Sequence, residues 1–212
     1  PASLSNSSAA NFNFAGTDYV AITSYEISLD GGGYVTGTNF KSYTGLADGS
    51  HTLSVRAVDG AGNKDATPAT YTWTVDTTVA TPTLALNSDT GSSNSDKVTS
   101  NAQVSVGGLE AGGTWQYSTN SGVTWTNGAG TGFTLSGGDG VKSVVVRQTD
   151  AAGNVSATSP VLAFTLDTTV AIPSLALNSD TGSGATDKIT NDNIVNVSGL
   201  EPGALWQYSL ND

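Results

Sequence analysis

The stretch Thr165-Leu166-Asp167-Thr168-Thr169-Val170-Ala171-Ile172-Pro173 runs on into Leu175-Ala176-Leu177-Asn178-Ser179-Asp180-Thr181-Gly182. The same pattern occurs 91 residues earlier, from Thr74 to Pro82 and again from Leu84 to Gly91. Of the 39 residues at 82–120, 24 are identical to the ungapped segment 173–211. Repetition at one fixed spacing predicts an array of like modules, each beginning just after an Asp-Thr-Thr joint.

Short alternating runs bounded by turn residues fill each module. The alternation of Phe12 with Phe14, and of Tyr25 with Ile27 and Leu29, puts apolar side chains on one face of a strand. Many of the 26 Gly residues fall in turn sequences between such runs. Roughly seven short strands per module, with no helical period, predict an all-β fold of immunoglobulin-like β-sandwiches in an elongated tandem array.

The repeat divides the 212 residues into three parts. We predict a divergent immunoglobulin-like domain at 1–78, a full repeat at 79–169 and the N-terminal half of a further repeat at 170–212. That last part lacks the later strands of a module, so we interpret the chain as a fragment of a longer protein. Because modules in such arrays contact only their neighbours, we expect neighbouring repeats of the same chain to be its main partners.

Composition narrows the functional classes. The net charge is -11 with only seven Lys and Arg residues, which argues against nucleic acid as a partner because phosphate backbones require cationic side chains. The absence of Cys excludes disulfides, thiolate catalysis and thiolate metal sites. No apolar run approaches the ~20 residues of a membrane span, so we expect no membrane insertion by this part of the protein.

Acidic residues concentrate in turns and joints. In an up-and-down antiparallel path, successive loops alternate between the two ends of a sandwich, so we expect carboxylates to gather at both joints. Crowded carboxylates repel by about 1 to 4 kcal/mol per close pair, and few Lys or Arg residues are present to neutralise them. The expected set at the first joint is Asp76, Glu110, Asp150 and Asn154, and at the second joint Asp89, Asp96, Asp139, Asp167 and Glu201.

A divalent cation would relieve this repulsion, and Ca²⁺ fits best because it accepts six to eight oxygen ligands in loose geometry. Zn²⁺ would require His or Cys, and His51 is the single candidate. A simpler interpretation stays open. The sequences Asp59–Asn63 and Asp150–Asn154 are also typical of hairpin turns, with Asn63 or Asn154 in the left-handed region.

The sequence offers no convincing set of catalytic residues, so we predict that the chain is not an enzyme. His51 is an isolated residue that we interpret as a solvated neighbour of a turn. There is no Gly-x-Ser-x-Gly elbow, and 128–132 lacks the strand-to-helix setting of a phosphate loop. Paired carboxylates suggest glycoside hydrolysis only when they face each other across a cleft, whereas these lie at module ends.

The Asp-Thr-Gly loop with Asp96 or Asp187 behind it, the Val-Arg-Gln-Thr-Asp-Ala-Ala-Gly-Asn segment at 146–154 and the Asp-Thr-Thr joints resemble bacterial Ig-like repeats. They are similar to the extender region of large RTX adhesins secreted by type I systems. The resemblance implies an extracellular stalk on the bacterial cell surface, with Ca²⁺ at its joints, serving cell adhesion and biofilm formation. It implies a host or surface ligand bound elsewhere in the full protein. The positions matching the acidic loop and linker are Asp89, Asp96, Asp167, Asp180 and Asp187.

The first module departs from this pattern, because its first loop, Ser5-Asn6-Ser7-Ser8, contains no acid. A second hypothesis makes the modules accessory carbohydrate-binding sandwiches of a secreted polysaccharide-active protein. That hypothesis predicts an exposed row of aromatic side chains including Tyr34 and Trp125.

Overall fold

The computed structural model describes residues 1–91, 93–184 and 186–210. Within these ranges the regular structure is entirely β, and no described helix is long and apolar enough to cross a membrane. The strands are β1 (Leu4–Ser5), β2 (Ala10–Asn13), β3 (Ile22–Leu29), β4 (Val35–Gly37), β5 (Phe40–Tyr43), β6 (Gly49–Asp59), β7 (Ala69–Val75), β8 (Thr83–Leu86), β9 (Val98–Thr99), β10 (Gln103–Gly107), β11 (Thr114–Ser118), β12 (Thr126–Asn127), β13 (Gly132–Thr134), β14 (Gly140–Thr149), β15 (Leu162–Leu166), β16 (Ser174–Leu177) and β17 (Val195–Ser198).

The first strand group comprises β1 to β7. Its larger sheet has the order β1-β7-β6-β3-β4, while β2 pairs with β5 in a second sheet. Strands β3 and β4 pair in one sheet, and the connection between them begins with a tight turn in which Asp30 and Gly31 take positive φ and the Gly32 amide donates to the Leu29 carbonyl. Side chains from both sheets form one core of Ala10, Ile27, Leu53, Trp73 and Val75.

The second strand group comprises β8 to β15. One sheet has the order β13-β10-β8, and the other has the order β12-β11-β14-β15-β9. The alternating positions of β14 put Val144, Val146 and Gln148 on the inner face, where each is at most 1% exposed. The apolar core between the sheets consists of Val104, Val106, Trp115, Leu135, Val144, Val146, Phe164 and Leu166.

The third strand group is the antiparallel pair β16 and β17, in which Leu177 lies opposite Val195. Two facing sheets, each group closed at one edge by a short parallel strand (β1 on β7, β9 on β15), define the first two groups as immunoglobulin-like sandwiches. The prediction of an all-β, immunoglobulin-like fold is therefore confirmed. The domain boundaries at 78 and 169 and the elongated arrangement stay predictions.

Candidate functional site

The first joint, residues 76–80, is held from its N-terminal side by Asp48. One oxygen of this carboxylate accepts hydrogen bonds from the Thr77 amide at 3.0 Å and the Thr77 hydroxyl at 2.7 Å. The other oxygen accepts a longer bond from the Thr78 hydroxyl at 3.4 Å. Asp48 precedes β6, so the first strand group fixes the conformation of the segment that leaves its own last strand.

From the C-terminal side, the second strand group binds both backbone groups of Ala80. The Glu110 carboxylate accepts a bond from the Ala80 amide at 2.7 Å, and the Gln148 side-chain amide donates to the Ala80 carbonyl at 2.8 Å. Gln148 also donates to the Gly108 carbonyl at 2.9 Å and accepts from the Glu110 amide at 2.9 Å. This buried glutamine therefore links the joint to the loop after β10.

Asn154 makes a second contact across the joint. Its side-chain amide donates to the Asp76 carbonyl and to the Asp150 carboxylate, both at 2.7 Å. Burial alone would raise the pKa of Asp150, but the hydrogen bonds from Asn154 and Gly153 outweigh it, so the pKa lies below its ordinary value. The left-handed residue of this turn is Gly153, with φ of 96°, and not Asn154. The turn thus frees the Asn154 side chain to hold the joint. The equivalent turn likewise has Gly62, and not Asn63, in the left-handed region, with φ of 87°.

The second joint repeats the contacts of Asp48 and Glu110 91 residues later. The Asp139 carboxylate accepts bonds from the Thr168 amide at 2.9 Å, the Thr168 hydroxyl at 2.7 Å and the Thr169 hydroxyl at 2.8 Å. These bonds hold the pKa of Asp139 below its ordinary value. Glu201 accepts from the Ala171 amide at 2.5 Å, as Glu110 does from Ala80. Asp167 caps the Thr169 amide at 3.4 Å.

The acidic loop between β8 and β9 contains a carboxylate oxygen without a partner. Asp89 accepts the Lys97 amide on Oδ2 at 2.9 Å, while its Oδ1 is buried and makes no hydrogen bond. Lys97 takes a φ of 61°, which turns the backbone so that its amide faces Asp89. Asp96 accepts the Val98 amide at 3.0 Å. Both acids therefore flank the same turn of the loop.

The corresponding loop of the third strand group has the same arrangement. Asp180 accepts the Lys188 amide on Oδ2 at 3.0 Å, and its Oδ1 is again buried without a partner. Asp187 accepts the Ile189 amide at 2.9 Å, and a Cβ at Gly182 would lie 2.8 Å from its Oδ1. The two Oδ1 atoms are the buried side-chain oxygens without a partner among the described residues.

The predicted acids therefore divide into two sets. Those at the joints bind neutral donors of the backbone and of Thr or Asn, whereas Asp89 and Asp180 keep an oxygen available for a further ligand. No three acidic or His side chains in the described ranges stand close enough together to hold a metal ion. The assignment of the eleven predicted residues as metal ligands stays a prediction.

Sequence reasoning missed two joint residues. Asp48 lies 91 residues before Asp139, so the repeat itself contained the signal. Gln148 occupies the third inward position after Val144 and Val146. A polar residue in core register must find hydrogen-bond partners, and this pattern was the signal for a structural role.

The two aromatic residues considered for carbohydrate binding, Tyr34, which is exposed, and Trp125, which is partly buried, are each stacked on an arginine. The guanidinium of Arg56 lies 4.2 Å from the ring centre of Tyr34, and that of Arg147 lies 4.1 Å from the ring of Trp125. The arginine covers a ring face against which a sugar would stack. The carbohydrate-binding hypothesis stays a prediction.

The strand order defines the class of protein as an immunoglobulin-like β-sandwich, and the two joints connect its strand groups. Residues 78–168 match the family model described as bacterial Ig-like domain. No curated protein matches the sequence.

Solved structures to which the chain is similar include fibronectin(III)-like modules of CbhA from Clostridium thermocellum, at 13% identity and a TM-score of 0.40, covering 76% of this chain and 86% of that one. A 1.5-MDa bacterial ice-binding adhesin matches at 21% identity and a TM-score of 0.42, covering 85% of this chain and 62% of that one. A Ca²⁺-stabilized adhesin with which an Antarctic bacterium binds ice matches at 22% identity and a TM-score of 0.38, covering 86% and 49%. The chain spans less than two thirds of the length of either adhesin structure.

Proposed function

We propose that this chain is a non-enzymatic stalk segment of an adhesin on the bacterial cell surface, in which Ca²⁺ stiffens successive repeats and so supports cell adhesion and biofilm formation. The observation that carries the proposal is the repetition of the joint contacts, with Asp48 and Asp139 binding Thr pairs 91 residues apart. Joints that share these contacts would hold successive repeats in one relation, as a spacer requires. The bacterial Ig-like match at 78–168 and the RTX-like motifs support the adhesin assignment.

The donor set of the acidic loops suits Ca²⁺. A buried carboxylate oxygen without a hydrogen bond has lost its water without compensation, which costs about 1–3 kcal/mol or more for a charged group. A bound cation would supply the missing partner of Asp89 Oδ1 and of Asp180 Oδ1. The side chains available are carboxylates, with Asp96 and Asp187 close by in sequence, and hard oxygen ligands are those that Ca²⁺ prefers. When bound, the ion would tie the loop ends together.

Calcium titration of the full chain tests the metal assignment. We expect Ca²⁺ at millimolar concentration, the range of extracellular modules, to raise the thermal midpoint and to shift the amide resonances of 89–99 and 180–190. The double variant Asp89→Asn/Asp180→Asn should lose both effects, because a neutral amide oxygen is a weaker ligand. Asp65→Asn is the matched control, since the Asp65 carboxylate is already bonded to Thr67. Equal calcium responses in the double variant and the control would overturn the assignment.

Small-angle scattering tests the stalk itself. A calcium-stiffened stalk should show a larger maximum dimension with Ca²⁺ than with chelator, and the Asp89→Asn/Asp180→Asn variant should behave in both conditions like the chelated protein. A maximum dimension that does not respond to Ca²⁺, although the amide shifts show that the ion binds, would separate metal binding from stiffening and remove the mechanical part of the proposal.

A further inference from the structure

A basic side chain of β6 contacts the turn that carries the aspartate of the first joint. His51 Nε2 lies 2.9 Å from the Ala47 carbonyl oxygen, and Ala47 immediately precedes Asp48, which binds the first joint. The Ala47 carbonyl and the Asp48 nitrogen belong to one planar peptide group. A contact that fixes this carbonyl therefore also fixes the backbone from which the Asp48 carboxylate extends.

The second joint has the same arrangement with a different base. Lys142, 91 residues after His51, donates from Nζ to the Gly138 carbonyl at 2.5 Å. Gly138 immediately precedes Asp139, which binds the second joint. Two side chains of different shape thus make the same contact at the same place in the repeat. They differ in titration, because histidine changes charge between pH 5 and 8 and lysine ordinarily does not.

The His51 ring can donate to both of its hydrogen-bonding neighbours only as the imidazolium. Its Nδ1 lies 2.8 Å from the Asp30 carboxylate, and its Nε2 faces the Ala47 carbonyl. Both neighbours only accept hydrogen bonds, whereas a neutral imidazole has a single N–H. The Asp30 charge favours keeping that proton on Nδ1, because a charge-assisted bond is the stronger one. Deprotonation therefore turns the Nε2 lone pair toward the Ala47 oxygen, which it repels.

Among the described residues, the charged group in contact with the ring is Asp30. It follows β3 and is fixed by the Thr52 amide, which donates to its other oxygen at 2.7 Å. Trp73 of β7 packs on the ring with the two ring centres 5.5 Å apart, and it does not titrate. Burial, and then the Asp30 charge, raise the pKa of Tyr43 above its ordinary value, so Tyr43 stays neutral. Of these groups, His51 is the one that changes charge between pH 5 and 8.

We propose that the first joint is pH-sensitive and that protonation of His51 strengthens it. The imidazolium donates to the Ala47 carbonyl and so keeps the Asp48 carboxylate in place to bind the Thr77 amide and hydroxyl. The neutral ring releases the turn, and the bonds from Thr77 to Asp48 weaken.

The direction of the effect follows from the protonation state. The hydrogen bonds of His51 to the Ala47 carbonyl and to Asp30 raise its pKa above 6.5. The contribution of the ring is therefore complete below pH 6.5 and is lost as pH rises through the higher pKa of the folded chain. Lys142 holds the equivalent carbonyl throughout that range, so the second joint should not respond.

Amide hydrogen exchange in the full chain, measured by magnetisation transfer from water, compares the two joints directly. Thr77 and Thr168 occupy the same Asp-Thr-Thr sequence, so their intrinsic exchange rates are equal at every pH. Their amides donate to Asp48 at 3.0 Å and to Asp139 at 2.9 Å. Between about pH 5.5 and about pH 8.5, the ratio of the Thr77 rate to the Thr168 rate should rise about fivefold, as loss of one hydrogen bond of typical net strength predicts. The midpoint of the rise should coincide with the titration of the ring protons of His51, the single histidine.

Two substitutions and an internal reference make the test specific. His51→Gln and His51→Lys each supply a donor that does not titrate in this range, so either variant that folds should have a ratio independent of pH. The Phe14 amide, bonded to the Asn39 carbonyl at 2.8 Å, reports on general loosening of the first strand group and should lose less protection than Thr77. The proposal is overturned by a ratio that stays constant through the titration of His51, by a rise that persists in the variants, or by an equal loss of protection at Phe14.

Discussion

Replacing Gln148 with Met removes a polar connection at the first joint while keeping the side-chain volume. Met is unbranched and flexible, so it fills the space of Gln without strain. The variant loses the bonds to the Ala80 carbonyl, the Gly108 carbonyl and the Glu110 amide. We therefore expect it to weaken both the second strand group and the attachment of the joint to it.

The magnitude follows from where the abandoned partners lie. A hydrogen bond contributes a net ~1 kcal/mol, and an abandoned buried partner costs more. Ala80 and Gly108 are exposed, so water replaces part of the loss at their carbonyls. We therefore use about 0.5–1 kcal/mol for each of the three bonds, or about 1.5–3 kcal/mol together. With a urea m value of about 1.5 kcal/mol/M, the midpoint should fall by roughly 1–2 M.

The chain is labelled with 5-fluorotryptophan, so that each Trp gives its own ¹⁹F signal. Urea unfolding followed by the Trp115 signal then measures the loss of stability in the second strand group alone. Gln116→Met is the matched control. Gln116 also makes three side-chain bonds, to Asn127 and Arg147, but at the sheet surface. We expect the control to cost less than about 1 kcal/mol. A midpoint for Gln148→Met no lower than that of the control would refute the structural role of Gln148.

Two further predictions concern the two sandwiches. Gly128→Ala should destabilise the second strand group by about 1–3 kcal/mol, because the added Cβ would lie 2.3 Å from ring atoms of Trp115. Urea unfolding followed at Trp115 checks this prediction, and an unchanged urea midpoint would contradict it. The hydrogen bonds of His51 to the Ala47 carbonyl and to Asp30 raise its pKa above 6.5. The protonated ring therefore stabilises the first strand group below pH 6.5, and this contribution is lost as pH rises through the higher folded-state pKa. Thermal midpoints at pH 6 and pH 8 should differ more in the native chain than in Asp30→Asn, and an equal difference in both would contradict the assignment.

The repeat and the alternation of apolar residues predicted most of the fold. Alternation located β3 because Tyr25, Ile27 and Leu29 all pack into the core, and burial of one face is what makes a period of two visible. The Asp-Thr-Thr spacing located both joints. His51 was expected to be solvated, yet its side chain is only 11% exposed because the Asp30 turn, which lies far from it in sequence, folds back onto it.

The chemistry of the joints was harder to predict because charge counting considers only ionic partners. Seven Lys and Arg residues cannot neutralise the acids, and this shortage suggested mutual repulsion or a metal ion at every joint. In the structure, Asp48 and Asp139 are satisfied by backbone amides and Thr hydroxyls, which a charge count omits. The neutral donors that surround a carboxylate cannot be predicted until the structure places the turn beside the joint.

The acids bonded to neutral donors and the acids with an unpartnered oxygen should respond differently to calcium. The joint contacts of Asp139 and Gln148 use neutral donors, so we expect them to persist in chelator and to limit how far successive repeats move without metal. Asp89 and Asp180 each have a buried carboxylate oxygen without a hydrogen bond, so the proposed stiffening by calcium would begin in their loops. The contact of Gln148 with the Ala80 carbonyl also depends on having Gln at this position of the repeat. Its counterpart 91 residues earlier is Ala57, which has no side-chain amide to hold an incoming carbonyl. The N-terminal end of the first sandwich therefore cannot form this contact with another repeat, and a joint there would need different side chains.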